Sequence, residues 1–176
     1  CKGYLVRDDN TKPLYMIGCI NEIGERQKAD NVSGLLGESG FREYMNQLDT
    51  PLETGYLLRI GIDHFKEIND NFGQEYGDFV LRKTADCISG CLSEGQKVYK
   101  LVADEFLILD VASDEAKDAD KLYDKVREAI DRFIETNEFK VMYTVSGGIV
   151  PFAALKGNQY SEALKLTDFA LNEAKK

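Results

Sequence analysis

Acidic side chains at the ends of predicted strands are the residues best placed to do chemistry. Asp63 directly follows the apolar run 56–62, while Asp104 and Glu105 lie at the turn of a predicted β-hairpin. The carboxyl end of the first strand is therefore a candidate edge of a site. Because the sequence carries a net charge of −9, a polyphosphate ligand would need a cation or local help to bind there.

Periodic apolar residues predict the elements that position these carboxylates. Helical spacing marks five segments, and apolar runs rich in β-branched residues mark the strands between them. The predicted helices are 39–48, 65–72, 78–92, 119–133 and 161–175, and the predicted strands are 56–62, 98–101, 105–109 and 141–150. This order predicts an α+β fold in which helices pack over a sheet.

The first stretch of the chain predicts a separate β-hairpin. Two extended runs, 4–7 and 14–20, flank a polar segment that contains Pro13, and the charged segment 21–30 is typical of a linker. Nothing in the sequence approaches the roughly 18 apolar residues of a membrane span, and no cysteine pair has CxxC spacing. We expect a cytoplasmic location, alone or as the cytoplasmic part of a larger sensor protein, with no membrane insertion. The acidic charge also opposes nucleic-acid binding.

Three segments carry a family resemblance. They are 30–35, which reads DNVSGL, 63–78, which reads DHFKEINDNFGQEYGD, and 102–106, which reads VADEF. Their order and spacing, together with SGG at 146–148 and AK at 174–175, resemble the GGDEF family of diguanylate cyclases. Any one segment alone would be a weak match, and it is their combination that favours this family.

The resemblance implies a fold and a division into domains. The family fold is a palm-like α+β arrangement shared with nucleotidyl cyclases, in which helices cover a sheet of about five strands that contains antiparallel pairs. Residues 30–176 would form this domain. Residues 1–29 resemble the closing hairpin and linker of a PAS sensor domain, so an N-terminal β-hairpin appendage is expected.

The resemblance also implies an activity and its residues. Active members condense two GTP molecules into cyclic di-GMP, one on each protomer of a dimer, with two Mg²⁺ or Mn²⁺ ions that stabilise charge on the phosphates. The matching positions for the metals and catalysis are the Ile62 carbonyl, Asp104 and Glu105. For the nucleotide they are Asn69 and Asp78 at guanine and Lys175 at phosphate, and Asp63 is a further candidate nucleotide-binding residue.

Two departures from the family pattern predict that catalysis is lost. Gly61 stands where the family has its first metal-binding aspartate, and glycine offers no side-chain oxygen. Asp63 lies two residues further along the same strand face and is the one candidate substitute. At the hairpin tip, Val102 and Ala103 replace two glycines, which removes the freedom of a tight turn and adds bulk where a ligand would approach.

Two further family positions are altered. The inhibitory product site, an RxxD shortly before the signature, is replaced by residues 93–96, which read SEGQ. An asparagine–arginine pair is replaced by Gly37 and Glu38, which exchanges a cation for an anion. We therefore expect no product feedback through the RxxD site.

Each retained residue also has a purely structural interpretation. Asp78 and Asp63 could cap helices, Asn69 could close the helix before Gly73, and Lys175 could solvate a terminus. For Asn69 and Asp78, residual nucleotide binding and a structural role both stay open.

The leading hypothesis is a degenerate GGDEF domain in cyclic di-GMP signalling, a regulatory or interaction module that partners a neighbouring domain or a second copy of itself. One alternative is an active diguanylate cyclase that uses Asp63 and Asp104. The other is a domain that senses GTP without turning it over. Mg²⁺ or Mn²⁺ is the expected cofactor if a nucleotide binds, and otherwise none is expected.

Overall fold

The computed structural model describes residues 2–7, 13–19, 29–113, 117–136, 141–156 and 160–176. The strands are β1 (Lys2–Arg7), β2 (Pro13–Cys19), β3 (Tyr56–Ile62), β4 (Gln96–Lys100), β5 (Glu105–Asp110) and β6 (Val145–Pro151). The helices are α1 (Glu38–Asn46), α2 (Phe65–Phe72), α3 (Gln74–Cys91), α4 (Lys117–Thr136) and α5 (Tyr160–Ala174). Chain order runs β1, β2, α1, β3, α2, α3, β4, β5, α4, β6, α5.

The main sheet has the strand order β4–β5–β3–β6, and all of its neighbours are antiparallel. This arrangement confirms the predicted α+β class, with four strands in the described residues where the resemblance implied about five. β3 is central, and every one of its residues is buried, as its apolar sequence predicts. The register places Gly61 opposite Glu105 on one side and Ser146 on the other.

Helices cover both faces of this sheet. Leu58, Ile60 and Ile62 of β3 point to the core shared with α2, α3 and α4. The alternate residue Leu57 points to the core shared with α1 and α5. Since side chains alternate along a strand, Arg59 and Gly61 share the α5 face.

The close approach of α5 depends on a glycine in β6. A Cβ atom on Gly148 would lie 2.3 Å from the backbone nitrogen of Leu171 in α5. Any larger residue would therefore push the helix away from the sheet. This packing sets how near the end of α5 lies to the end of β3.

The first residues form the predicted hairpin. β1 and β2 pair with each other in an antiparallel register, from Lys2 opposite Cys19 to Arg7 opposite Pro13. The predicted linker lies mostly outside the described residues, because 20–28 are not described. Within the described part of the chain, no helix combines the length and the apolar character needed to span a bilayer.

The predicted helix caps were wrong in two places. α3 begins at Gln74 after Gly73, so Asp78 lies inside the helix and caps nothing. His64 occupies the N-cap position of α2, with a left-handed φ of 55°, so Asp63 does not cap that helix. Asn69 lies in the last turn of α2, where its main-chain carbonyl accepts a 2.8 Å hydrogen bond from Gly73. The strand predicted at 141–150 begins only at Val145.

Candidate functional site at the carboxyl end of β3

Gly61 leaves a gap on the α5 face of the sheet, and a lysine fills that gap. A Cβ atom placed on Gly61 would lie 2.8 Å from Lys175 Nζ, 3.0 Å from Lys175 Cε and 3.2 Å from Leu171 Cδ2. The end of the Lys175 side chain thus occupies the space that a larger side chain at position 61 would enter.

The Lys175 ammonium reaches both predicted metal ligands. Nζ lies 3.5 Å from the Ile62 carbonyl oxygen and 3.4 Å from Asp104 Oδ2, and donates to each. The Asp104 side chain is only 18% exposed, so this ion pair is partly shielded from water. The backbone N–H of Lys175 continues the α5 pattern by donating to the Leu171 carbonyl at 3.0 Å.

A buried arginine neutralises the second carboxylate of the hairpin. Arg59 donates from Nε (2.8 Å) and Nη2 (2.5 Å) to the same oxygen of Glu105, and from Nη1 to the Leu164 carbonyl of α5 (3.2 Å). Its Nη2 also lies 3.2 Å from Asp168 Oδ1. The Arg59 side chain is 7% exposed, and buried charges of this kind are retained only when paired.

Sequence reasoning missed Arg59. The signal was available, because an arginine stood inside the otherwise apolar and uncharged run 56–62. A charged residue in a fully buried strand must find a partner of opposite charge.

Val102 and Ala103 form the tip of the signature hairpin. Val102 is 62% exposed, so its side chain projects into solvent. Ala103 adopts a left-handed φ of 50°, a conformation that glycine would take at lower cost. The Lys100 ammonium stabilises the turn by donating hydrogen bonds to the main-chain carbonyls of Leu101 (3.1 Å) and Ala103. Burial lowers the pKa of Lys100, against the opposing influence of Asp30, Asp104 and Glu105.

The Asp63 carboxylate is hydrogen-bonded to the start of β6 and to the residue before it, and does not enter the Gly61 gap. Its Oδ2 accepts a 2.6 Å hydrogen bond from Thr144 Oγ1, and its Oδ1 accepts a 2.7 Å bond from Ser146 Oγ. Its backbone N–H donates to the Thr144 carbonyl at 2.9 Å. Each carboxylate oxygen therefore accepts a hydrogen bond on the side of β3 away from Asp104.

The two residues predicted to read guanine lie near the junction of α2 and α3. The Asn69 carboxamide packs over Gly77, since its Oδ1 lies 1.8 Å from where a Cβ of Gly77 would stand. Asp78 follows Gly77 and is exposed to solvent. Gly77 is thus needed for the Asn69 carboxamide to take this position, which is a structural role. The neighbouring Asp78 stays open to solvent.

The site does not suit the metal ions that the family uses. Gly61 offers no side-chain oxygen, and the two predicted metal ligands, the Ile62 carbonyl and the Asp104 carboxylate, already face an ammonium group. Across the described residues, no three or more His, Cys, Asp or Glu side chains are grouped so as to hold a metal ion. With Lys175 Nζ in this position, its positive charge opposes a divalent cation at the same two oxygens, because like charges repel.

Comparison with known protein families matches residues 28–176 to the model described as diguanylate cyclase, GGDEF domain. The match covers most of the chain. The chain belongs to the GGDEF family. This membership places the domain in cyclic di-GMP signalling, in a family whose cyclases use Mg²⁺ or Mn²⁺.

Relatives of this GGDEF domain include proteins named as diguanylate cyclases and one named as a cyclic di-GMP phosphodiesterase. The chain is 26% identical over 150 residues to diguanylate cyclase VdcA of Vibrio cholerae, covering 83% of this chain and 43% of VdcA. It is 30% identical over 143 residues to the probable diguanylate cyclase DgcT of Escherichia coli, covering 77% of this chain and 30% of DgcT. It is 28% identical over 158 residues to the cyclic di-GMP phosphodiesterase NbdA of Pseudomonas aeruginosa, covering 87% of this chain and 20% of NbdA. The chain spans less than half the length of each of these relatives.

Solved structures of GGDEF domains share the fold. The GGDEF domain of YfiN (TpbB) from Pseudomonas aeruginosa superposes with a TM-score of 0.72 at 26% identity, covering 84% of this chain and 88% of that one. The GGDEF domain of DgcB from Caulobacter crescentus, solved with c-di-GMP, gives a TM-score of 0.72 at 21% identity, covering 88% and 93%. The second likeness concerns the fold alone.

Proposed function

We propose that this GGDEF domain makes no cyclic di-GMP and acts as a regulatory or interaction module within cyclic di-GMP signalling. The observation that carries the proposal is the Gly61 gap with Lys175 Nζ inside it. Metal ions supply most of the charge stabilisation in phosphoryl transfer, so a site that cannot hold them loses the reaction.

The remaining carboxylates do not compensate for the missing ligand. The two carboxylate oxygens of Asp63 accept hydrogen bonds from the hydroxyls of Thr144 and Ser146. Glu105 is held by the buried guanidinium of Arg59. Moving Asp63 into the gap would break its hydrogen bonds to Thr144 and Ser146. Moving Glu105 would leave the buried guanidinium of Arg59 without this partner, and leaving a buried polar group unpaired typically costs about 1–3 kcal/mol.

Residual GTP binding is the second candidate function, and one observation favours it. The Asn69 carboxamide packs over Gly77, next to the exposed Asp78, and this arrangement supports a retained guanine-reading pair. Against it, Lys175 is engaged with Asp104 instead of being free for phosphate. Glu38 adds negative charge at the start of α1, where the family pattern has a cation. Regulation without a bound nucleotide therefore ranks first.

The proposed partner is another protein domain, and the proposed setting is a signal relay in the cytoplasm. A domain without turnover can still transmit a signal by contacting a neighbouring domain or a second copy of itself. The β1–β2 hairpin ahead of the domain fits the closing strands of a PAS sensor, which would supply the input, and the cytoplasm is the compartment that suits such a relay.

The test is a turnover assay with the purified chain. The protein is incubated at high concentration with GTP and either Mg²⁺ or Mn²⁺, beside an Asp104→Asn variant, and cyclic di-GMP is quantified by liquid chromatography and mass spectrometry. The proposal predicts no product from either protein. Cyclic di-GMP made by the unmodified chain but not by Asp104→Asn would establish the active-cyclase alternative instead.

Calorimetry separates the two candidate functions that involve no turnover, regulation without a nucleotide and GTP sensing. GTP is titrated into the chain with and without Mg²⁺, and an Asn69→Ala variant serves as the control. No heat at millimolar GTP supports regulation without nucleotide. Heat that disappears in Asn69→Ala would favour the GTP-sensing candidate.

A further inference from the structure

We infer that the Lys175 ammonium is a built-in structural replacement for the family's metal ion, a cation of the chain itself that ties the end of α5 to β3 and to the signature hairpin. This goes beyond the absence of turnover, because it assigns the altered site a positive role in holding the domain together.

The contacts of Lys175 are those of a cation among oxygen ligands. Its Nζ lies 3.5 Å from the Ile62 carbonyl and 3.4 Å from Asp104 Oδ2. An ammonium group carries three donors and one positive charge, so it can serve both oxygens at once. Ile62 is the last residue of β3 and Asp104 lies in the turn before β5. The same lysine therefore joins β3, this turn and the end of α5.

Gly61 and Lys175 are complementary in shape. A Cβ on Gly61 would lie 2.8 Å from Nζ and 3.0 Å from Cε of Lys175, closer than ordinary van der Waals contact. The glycine is therefore what lets the lysine end rest against β3. The substitution that removes a metal ligand also makes room for its replacement.

Both carboxylates of the hairpin are neutralised within the chain. Lys175 pairs with Asp104, and Arg59 pairs with Glu105. Once both pairs form, the hairpin offers no unpaired carboxylate that would repay the dehydration of a divalent cation. The domain should thus hold the same arrangement whether or not such cations are present.

Thermal unfolding without nucleotide tests this inference. Lys175→Met keeps the length of the side chain and removes its charge. Lys176→Met is the matched control, because Lys176 is the adjacent residue and pairs only locally with Glu173 in an exposed position. A double variant, Gly61→Asp with Lys175→Met, removes the ammonium and adds the missing carboxylate. Each protein is melted in MgCl2 and in NaCl of equal ionic strength.

The expected pattern has three parts. The unmodified chain melts at the same temperature in both salts, Lys175→Met melts about 2–4 °C lower than Lys176→Met in NaCl, and MgCl2 raises the melting temperature of the double variant. Specific stabilisation of the unmodified chain by MgCl2, equal melting of the two single variants, or a double variant that ignores MgCl2 would each overturn the inference. Because no nucleotide is present, these outcomes are distinguishable from cyclic di-GMP production, which alone would overturn the proposed function.

Discussion

Gly61 and Lys175 meet at the carboxyl end of β3, where the lysine Nζ lies 2.8 Å from the point that a Cβ of residue 61 would occupy. The two positions are 114 residues apart in the numbering (175 − 61) and come together because Gly148 lets α5 approach the sheet closely. The absence of a side chain at position 61 is therefore what lets the Lys175 ammonium lie against this end of β3.

Replacing Arg59 with leucine should destabilise the domain strongly. The change leaves Glu105, only 19% exposed, without its cation, and breaking a shielded pair by removing one partner costs roughly 3 kcal/mol. Urea unfolding measures the effect. Arg42→Leu is the control, because Arg42 pairs with Glu38 while 58% exposed and should cost under about 1 kcal/mol. Equal losses for Arg59→Leu and Arg42→Leu would refute the structural importance of the buried pair.

Asp110 should make the domain lose stability in acid. Burial raises the pKa of this fully buried carboxyl, but hydrogen bonds from Gln96, Ser113 and Ala112 outweigh burial and bring the pKa below its ordinary value. A depressed carboxyl pKa adds stability above the unfolded-state value of about 3.9, and that stability disappears as the pH falls through the folded-state pKa. The free energy of unfolding, measured by urea from neutral pH downward, should fall below about pH 4.

Two variants separate Asp110 from other carboxyls. Asp110→Asn should be less stable than the unmodified chain at neutral pH and should show a shallower fall in acid, since the titrating group is gone. Asp120→Asn, at an exposed position of α4, should leave the profile unchanged. An unaltered acid slope in Asp110→Asn would mean that other groups cause the acid sensitivity.

Ala103→Gly should stabilise the hairpin. Ala103 sits at φ 50°, and a left-handed conformation costs a non-glycine residue about 1 kcal/mol, from which the greater flexibility of glycine in the unfolded chain subtracts a part. The net gain should be under about 1 kcal/mol by urea unfolding. Ala112→Gly, where φ is not positive, should be destabilising. A loss of stability in Ala103→Gly would argue against strain at the tip.

Local sequence patterns were enough to predict the sheet and most helices. The apolar run 56–62 predicted the buried central strand, and the missing side chain at Gly61 was visible from the sequence. Asp78 was wrongly predicted as a helix cap, because α3 already begins at Gln74, with Gly73 in the N-cap position. Glycine and aspartate are both common before helices, so residue type alone could not choose between them.

The charge pairs could not be predicted because they depend on packing between distant segments. Lys175 meets the Ile62 carbonyl across 113 residues, and Arg59 meets Glu105 across 46. A periodic pattern assigns a residue to a face but does not say which end of α5 lies over which end of β3. The commitment of Asp63 to β6 likewise depends on the strand register.

Manganese binding tests the central claim most directly. Mn²⁺ is titrated into the unmodified chain and into Asp104→Asn, and the free ion is followed by electron paramagnetic resonance. The altered site predicts that the two proteins bind the same small amount of Mn²⁺, through scattered surface carboxylates alone. A bound Mn²⁺ ion that is present in the unmodified chain and absent in Asp104→Asn would contradict the replacement of the metal by Lys175.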